Sequence, residues 1–133
     1  MKRYLVIFLS AFVLNVLWEN VHSLLYASYK GGVITEFILL RASLFDAVVI
    51  TLILIPFVHI DALKNKSWLI IIAGICIAVF NEWYGLSTAR WAYNSLMPIL
   101  PIIKVGLTPT LQLGLLGYLS FKIQEYFCNQ TYI

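Results

Sequence analysis

Charged residues are scarce in this sequence and make up only 11% of its 133 residues. Soluble domains usually carry about 25% charged residues, so a soluble globular enzyme is excluded. The apolar content also excludes a disordered chain. The formal charge of +3 comes from scattered basic residues, which predicts no nucleic-acid surface and no nucleic-acid partner.

Cysteine and the common catalytic motifs are also scarce. The two cysteines, Cys76 and Cys128, form no CxxC pair, which excludes a disulfide scaffold and favours free thiols. No GxSxG, HExxH, P-loop or dinucleotide-binding pattern occurs in the sequence. We therefore expect no nucleotide-driven chemistry and predict no cofactor.

The sequence is instead rich in long apolar segments, with 62% hydrophobic residues and a mean hydropathy of +0.90. A membrane-spanning helix takes roughly 20 residues, so this content suffices for four spans and leaves no room for a soluble domain. We predict an all-α polytopic membrane protein, a single domain over 1–133, with four transmembrane helices in an up-down bundle. The predicted spans are about 4–26, 42–59, 68–88 and 109–127.

The ends of the predicted spans rest on local signals. Lys2 and Arg3 precede an apolar run as in a signal peptide, but no small-residue cleavage site follows, so a retained first span is expected. The apolar stretch 34–40 is predicted to be interfacial. Thr108 and Pro109 match an N-cap and first helical position, so the proline-rich segment 97–107 is predicted to be interfacial or re-entrant before the fourth span.

Basic residues in short loops predict the orientation. The two tight clusters, Lys2 with Arg3 and Lys64 with Lys66, fall on the side that holds both termini of a four-span chain. Because basic loops remain cytoplasmic, we expect cytoplasmic N- and C-termini in the plasma membrane.

A polar stripe interrupts the apolar first span. Asn15, Glu19, His22 and Tyr26 are spaced by four, three and four residues, so on a helix they fall within an arc of about 60°. Glu19 lies roughly 10 Å inside the outer end of the span. With alternating topology, the same depth is predicted for three further polar residues, Asp46, Glu82 and Gln112.

Two interpretations of this polar layer stay open. Intramembrane ionisable residues are costly and mark functional sites, but carboxylates also pair with residues such as Arg41, Arg90 or Lys104 to hold helices together. In the functional interpretation, the catalytic residues are Glu19, Asp46 and Glu82 as acid–base groups and His22 as a proton relay or orienting group. The predicted substrate-binding residues are Asn15, Tyr26, Arg90, Trp91, Tyr93, Lys104 and Gln112.

Glu19 and His22 also match half of a helical carboxylate–histidine metal motif. A di-iron site needs two such pairs, and the only other histidine, His59, is predicted at the opposite membrane face. We therefore predict no metal. The alternative is a single divalent metal ion held by Glu19, His22, Asp46 and Glu82.

A pattern spread over most of the chain resembles a family of small four-span bacterial integral membrane proteins that has no known activity. The residues that carry the resemblance are Trp18-Glu19, Leu25-Tyr26, Asp46-Ala47, Glu82, Trp91-Ala92-Tyr93, Met97-Pro98, Pro101, Val105-Gly106-Leu107, Pro109 and Leu111-Gln112. The resemblance implies a bacterial plasma-membrane protein with four spans.

The polar layer predicts an enzyme that acts on a lipid or prenyl substrate by acid–base chemistry. The alternatives are a small transporter or channel subunit for protons or a metal cation, and a non-catalytic accessory protein. Membrane lipids are the expected partners, with a second copy of the chain or another membrane protein as alternatives.

Overall fold

The computed structural model describes residues 1–130, so the last three residues of the predicted domain 1–133 lie outside the described part. The described chain is mostly helical. Its helices are α1 (Lys2–His22), α2 (Glu36–His59), α3 (Asp61–Lys64), α4 (Trp68–Ser87) and α5 (Leu107–Asn129), with a 3₁₀ turn at Ser23–Leu25 and two short strands, β1 (Tyr26–Tyr29) and β2 (Trp91–Tyr93).

Within residues 1–130, three segments are long and apolar enough to cross a membrane: Lys2–Leu25, Glu36–His59 and Trp68–Ser87. They correspond to the first three predicted spans. The fourth long helix, α5, has 23 residues but carries more polar side chains, among them Gln112, Lys122, Gln124 and Glu125. Its length is therefore that of a span while its composition is less apolar.

Helix α1 exposes apolar side chains and buries polar ones, which is the reverse of the pattern in soluble proteins. Large apolar side chains point outward at every fourth position, at Leu5, Leu9, Val13, Leu17 and Val21. The buried positions of the same helix include polar Asn15, Glu19 and His22. This arrangement is compatible with insertion into a membrane, because lipid solvates an apolar surface and leaves polar groups to pair inside the protein.

The four long helices pack around one apolar core. Helix α5 packs against α4 and α1, and α1 packs against α2. Helices α4 and α5 approach closely at Gly74 and Gly114, where a Cβ atom on Gly74 would overlap the Gly114 backbone. Small residues allow this contact between helix backbones. The core residues include Ile7, Ala11, Ile50, Leu54, Ile70, Leu116 and Phe121.

The mostly helical fold also contains a pair of short strands, which the sequence analysis did not predict. The predicted first span ran to Tyr26, but the helix ends at His22 and Tyr26 begins β1. Strands β1 and β2 pair antiparallel, with Tyr26 opposite Tyr93 and Tyr29 opposite Trp91. The alternation of aromatic and small residues in Trp91-Ala92-Tyr93 favours a strand and was a signal for this pairing. The polar stripe on α1 therefore ends at His22.

The turn after β1 shows why the chain reverses there. Lys30 and Gly31 both have positive φ, 49° and 75°, and Tyr29 and Gly32 exchange two backbone hydrogen bonds. This is the geometry of a two-residue hairpin turn of type I′, which favours glycine.

The second helix begins earlier than predicted. Thr35 caps α2, since its side-chain oxygen accepts a hydrogen bond from the Ile38 N–H, and Glu36 stands in the first turn. The segment 34–40, predicted to be interfacial, therefore contributes the first turns of α2. A threonine N-cap followed by an acidic first turn is the signal that was available in the sequence.

The start of α5 also differs from the prediction. The helix begins at Leu107 with Gly106 as N-cap, and Thr108 does not cap it. Pro109 is tolerated in this first turn because the first four N–H groups of a helix have no partner within the helix. The preceding proline-rich segment is a compact loop in which Met97 and Val105 are buried.

Candidate functional site

A cavity of about 310 Å³ lies between one end of the helix bundle and the paired strands. The four residues predicted to be catalytic, Glu19, His22, Asp46 and Glu82, all line it, as do Tyr26, Arg90, Trp91 and Gln112 of the predicted substrate-binding set. The cavity thus brings together residues from α1, α2, α4, α5 and both strands.

Gln112 connects three of the helices below the cavity. Its Nε2 atom lies 2.9 Å from Asn15 Oδ1, 2.7 Å from Glu19 Oε1 and 2.8 Å from Asp46 Oδ2. All four residues are buried, and Asp46 is 8% exposed. Asn15 also donates to the Ala11 carbonyl within α1 at 2.7 Å. One amide group thus holds the two carboxyl groups of Glu19 and Asp46 close to each other.

His22 stands next to this pair with one ring nitrogen bonded and the other without a partner. Its Nε2 atom lies 3.2 Å from Glu19 Oε2, and its ring packs edge-on against Tyr26. Within residues 1–130, the buried His22 Nδ1 atom has no hydrogen-bond partner, and neither has the Trp18 Nε1 atom. Unpaired buried polar atoms are rare and point to water or a bound group.

Glu82 accepts hydrogen bonds from three aromatic side chains. Trp91 Nε1 donates at 3.1 Å, the Tyr26 hydroxyl lies at 3.4 Å, and the Tyr93 hydroxyl also donates to Oε2. Gly85 makes room for the Trp91 ring, which a Cβ atom there would overlap. Because Tyr26 is in β1 and the other two donors are in β2, Glu82 ties the strand pair to α4.

The strand pair forms a roof over the cavity and is fixed to the chain on both sides. Asn94 Nδ2 donates to the Leu24 carbonyl at 2.6 Å, and Lys30 N donates to the Arg90 carbonyl at 2.6 Å. The Tyr93 hydroxyl accepts from Gly106 N at 3.0 Å, next to the start of α5. Tyr93 is predicted to bind substrate, but it is not among the residues that line the cavity and it contacts Glu82.

The phenols of the roof resist ionisation. Burial, and then the charge of Glu82, raise the pKa of Tyr26 well above its ordinary value, and burial followed by the hydrogen bond to Glu82 raises the pKa of Tyr93. Protonated phenols therefore stabilise the fold below about pH 10, and this contribution is lost as the pH rises above it.

This leads to a prediction for alkaline titration. At about pH 11, one unit above the ordinary tyrosine pKa, a variant with both Tyr26→Phe and Tyr93→Phe should keep the phenolate absorbance of the parent protein. The measurement is ultraviolet difference absorbance in detergent, with N-acetyltyrosinamide as calibration. A loss equal to two tyrosines would contradict the burial of these phenols.

Two arginines stand at the exposed rim of the cavity. Arg41 lies on α2, and Arg90 precedes β2 with its guanidinium 5.1 Å from the ring centre of Tyr84. In the described part of the chain, the ion pairs are Glu19–His22, Asp61–Lys64 and Glu125–Lys122, so neither arginine lies within 4 Å of a carboxylate. The pairing of buried acids with Arg41, Arg90 or Lys104, expected in the structural interpretation, is absent within these residues.

Lys104 lies away from the cavity. It has a positive φ of 55° and borders a shallow surface groove beside Trp83 and Ile103. The predicted contribution of Lys104 to substrate binding is therefore not supported by its position. Asn15 lies below the cavity and acts on it through Gln112.

The sequence missed the apolar wall of the cavity. Ile34, Ile38, Leu39 and Phe45 line it together with Arg41. Ile34, Ile38 and Leu39 lie in the stretch 34–40 that was predicted to be interfacial, whereas Phe45 lies within the predicted second span. Recognising Thr35 as the N-cap would have placed Ile38 and Leu39 on the helix that carries Asp46.

A metal ion is not indicated by the side-chain geometry. Among residues 1–130, no group of three or more His, Cys, Asp or Glu side chains is arranged to hold one. The cavity is lined by neighbouring carboxyl groups, an imidazole, two guanidinium groups and apolar side chains.

No family model, curated protein or solved structure matches this chain in comparisons with known proteins.

Proposed function

We propose that the protein is a membrane enzyme that acts on a lipid or prenyl substrate by acid–base chemistry. The observation that carries the proposal is the arrangement of Glu19 and Asp46, which share the amide of Gln112 and face a cavity with an apolar wall. Buried acids of this kind are expensive in a membrane protein and are retained where they act on a substrate or ion.

The geometry around Gln112 supports a shared proton. The amide group has two hydrogens, yet three side-chain oxygens lie within 2.9 Å of its nitrogen. Two carboxyl groups at one site rarely carry full charge together, because like charges repel strongly in a poorly solvated interior. We assign the proton to the Glu19–Asp46 pair, so that one carboxyl group acts as acid while the other acts as base.

The remaining side chains have supporting roles in this proposal. His22 orients Glu19 and exchanges protons with it through the contact at 3.2 Å. Glu82 holds the roof through its aromatic donors, and Trp91 and Tyr26 pack against the substrate. Arg90 binds an anionic group of the substrate at the rim.

The packing below the site favours an enzyme over a transporter. The far half of the bundle is filled mainly by fully buried apolar side chains, including Ile7, Ile50, Leu54 and Ile70, and α5 adds buried Ser120 and Gln124 there. An ion path from the cavity through this core would need a continuous line of polar groups, which these two side chains do not provide. A proton or cation transporter remains the alternative if copies of the chain assemble around a shared path.

The finer topology belongs to the same proposal. We take α5 as the fourth span, because its buried polar side chains face the bundle while Leu115 and Leu119 face outward. Four spans in an up-down bundle place the cavity in the outer half of a bacterial plasma membrane, with cytoplasmic termini. Membership in the resembling family of small four-span bacterial membrane proteins is part of this proposal.

The direct test compares lipid extracts of cells. A strain that lacks the gene is complemented with the parent protein, Asp46→Asn or Glu82→Gln, and lipids are quantified by mass spectrometry. Asp46→Asn removes a group that exchanges a proton, so we expect the substrate-to-product ratio to change by about a hundredfold or more. Glu82→Gln should give a smaller change, because it weakens the roof.

Matched controls make the same substitutions outside the site. Asp61→Asn alters an exposed pair with Lys64, and Glu125→Gln alters a pair with Lys122. Both should behave as the parent protein does. Extracts that do not differ between the parent and the deletion strain would overturn the enzyme proposal, and full complementation by Asp46→Asn would favour an accessory protein.

A further inference from the structure

The cavity is lined by groups of both charge signs at different positions. The carboxyl groups of Glu19 and Asp46 lie at its floor and are almost fully buried, whereas Arg41 and Arg90 are exposed at its rim. Arg41 and Asp46 are five residues apart on α2, which is about 7.5 Å along the helix axis. A ligand that spans the cavity therefore contacts acidic groups at the floor and positively charged groups at the rim.

The free nitrogen of His22 shows which kind of group the floor lacks. When the neutral ring donates its Nε2–H to Glu19, the Nδ1 atom carries a lone pair and needs a donor. This atom is buried, has no partner in the described chain, and belongs to a residue that is 6% exposed and lines the cavity. An ammonium group supplies N–H donors for the imidazole and the two carboxyl groups alike.

The rim and wall suit the rest of an amphiphile. Arg41 and Arg90 have no carboxylate partner within the described residues, and guanidinium groups match the geometry of a phosphate, which they bind through paired N–H donors. The wall beside them is apolar, and Phe45 is 56% exposed at the outer surface of α2. Acyl chains would leave the cavity along this wall toward the bilayer.

We infer that the cavity binds the headgroup of a zwitterionic aminophospholipid, with the primary ammonium among Glu19, Asp46 and His22 and the phosphate between Arg41 and Arg90. The inference deepens the proposed function, on which it rests for the assignment of this cavity to a lipid. The volume of about 310 Å³ accommodates a headgroup and leaves the chains outside.

Other lipid headgroups complement only part of the site. A purely anionic lipid or a prenyl phosphate pairs with the arginines but brings no N–H donor to His22 Nδ1 or to the carboxyl oxygens that Gln112 does not reach. A quaternary ammonium group has no N–H to donate to them. Primary ammonium and phosphate together are the combination that satisfies floor and rim.

The test is competitive lipid retention by the purified full-length protein. The protein in detergent is incubated with equal amounts of phosphatidylethanolamine, phosphatidylcholine and phosphatidylglycerol that have identical acyl chains, and the retained lipids are quantified by mass spectrometry. We expect phosphatidylethanolamine to be enriched about tenfold over the other two, the effect of one hydrogen bond to a charged group.

Variants locate the two ends of the headgroup. Arg41→Gln and Arg90→Gln should each lower phosphatidylethanolamine retention by about tenfold. Arg3→Gln makes the same change near the other end of α1, sixteen residues or about 24 Å before Glu19, and should leave retention unchanged. His22→Phe should reduce the preference for phosphatidylethanolamine over phosphatidylcholine.

The preference of the parent protein decides the inference even if a variant fails to fold. Equal retention of the three lipids, or a preference for phosphatidylglycerol, overturns it. Selective phosphatidylethanolamine retention together with unchanged cell extracts supports the binding site and contradicts the enzyme proposal. If Asp46→Asn changes the lipid extracts strongly but the parent protein shows no such selectivity, the enzyme proposal is supported and the inferred binding site is contradicted.

Discussion

Replacing Gln112 with leucine should destabilise the protein more than any other single substitution near the site. Leucine has a similar volume but no amide, so Asn15, Glu19 and Asp46 would lose the donor they share. Removing one partner from a buried charged group typically costs about 3 to 5 kcal/mol, because the other group stays buried without compensation. The measurement is reversible unfolding in detergent micelles, followed by circular dichroism.

The control for this substitution is Gln130→Leu, which makes the same chemical change at an exposed position after α5. It should shift the unfolding free energy by less than about 0.5 kcal/mol. If Gln112→Leu destabilises the protein no more than Gln130→Leu, the network around Gln112 does not hold the helices together. The proposed sharing of a proton between Glu19 and Asp46 would then lose its structural basis.

Replacing Gly74 with alanine should separate α4 from α5. A Cβ atom on Gly74 would overlap backbone atoms of Gly114. Likewise, Gly114→Ala would place a Cβ atom 2.6 Å from the Ile71 carbonyl oxygen. Backbone atoms within two helices cannot rotate away, so we expect destabilisation of about 3 kcal/mol, the upper part of the range for overpacked cores. Unfolding in detergent measures this effect as well.

Gly32→Ala provides the matched comparison. Its nearest neighbour would be the Tyr29 carbonyl oxygen at 3.7 Å, an ordinary van der Waals distance. This substitution should change the unfolding free energy by less than about 1 kcal/mol. Equal effects of the two glycine substitutions would show that the close contact between α4 and α5 does not limit stability.

Both substitutions bear on function because the two contacts lie along α5. Gln112 and Gly114 are two residues apart, so a shift of α5 at Gly114 also moves the amide that holds Glu19 and Asp46. We therefore expect Gly74→Ala to change the lipid extracts in the same direction as Asp46→Asn, by a smaller factor. The close helix contact thus positions the acid pair.

The sequence was sufficient to bring most of the site together. In an apolar chain, each buried acid needs a partner inside the protein, so Glu19, Asp46, Glu82 and Gln112 had to meet once the helices were assigned. Depth along the predicted spans placed them at one level, and the cavity is lined by Glu19, Asp46 and Glu82 from three separate helices. This part was predictable because so apolar a chain offers its buried polar groups few partners other than each other.

The wall and roof of the site were not predicted. The segment 34–40 is apolar enough to lie at an interface, and only the N-cap at Thr35 indicates that it begins α2. The strand pair was hidden because Tyr26–Tyr29 continues an apolar run, and its partner strand lies more than 60 residues further along the chain. Pairing between distant segments depends on tertiary contacts that local patterns do not encode.

The sequence by itself determined the mostly helical fold, its three long apolar helices and the polar side chains that they carry. Composition and the spacing of apolar residues are sufficient to recognise such helices. Only the tertiary structure decided how those side chains share hydrogens: Gln112 serves two carboxyl groups and an amide, and Glu82 holds the roof. At the rim, Arg41 and Arg90 pair with no acid among residues 1–130. The reason is physical, since hydrogen bonds and ion pairs are set by atomic distances of about 3 Å, whereas sequence spacing places residues only to within about a helical turn.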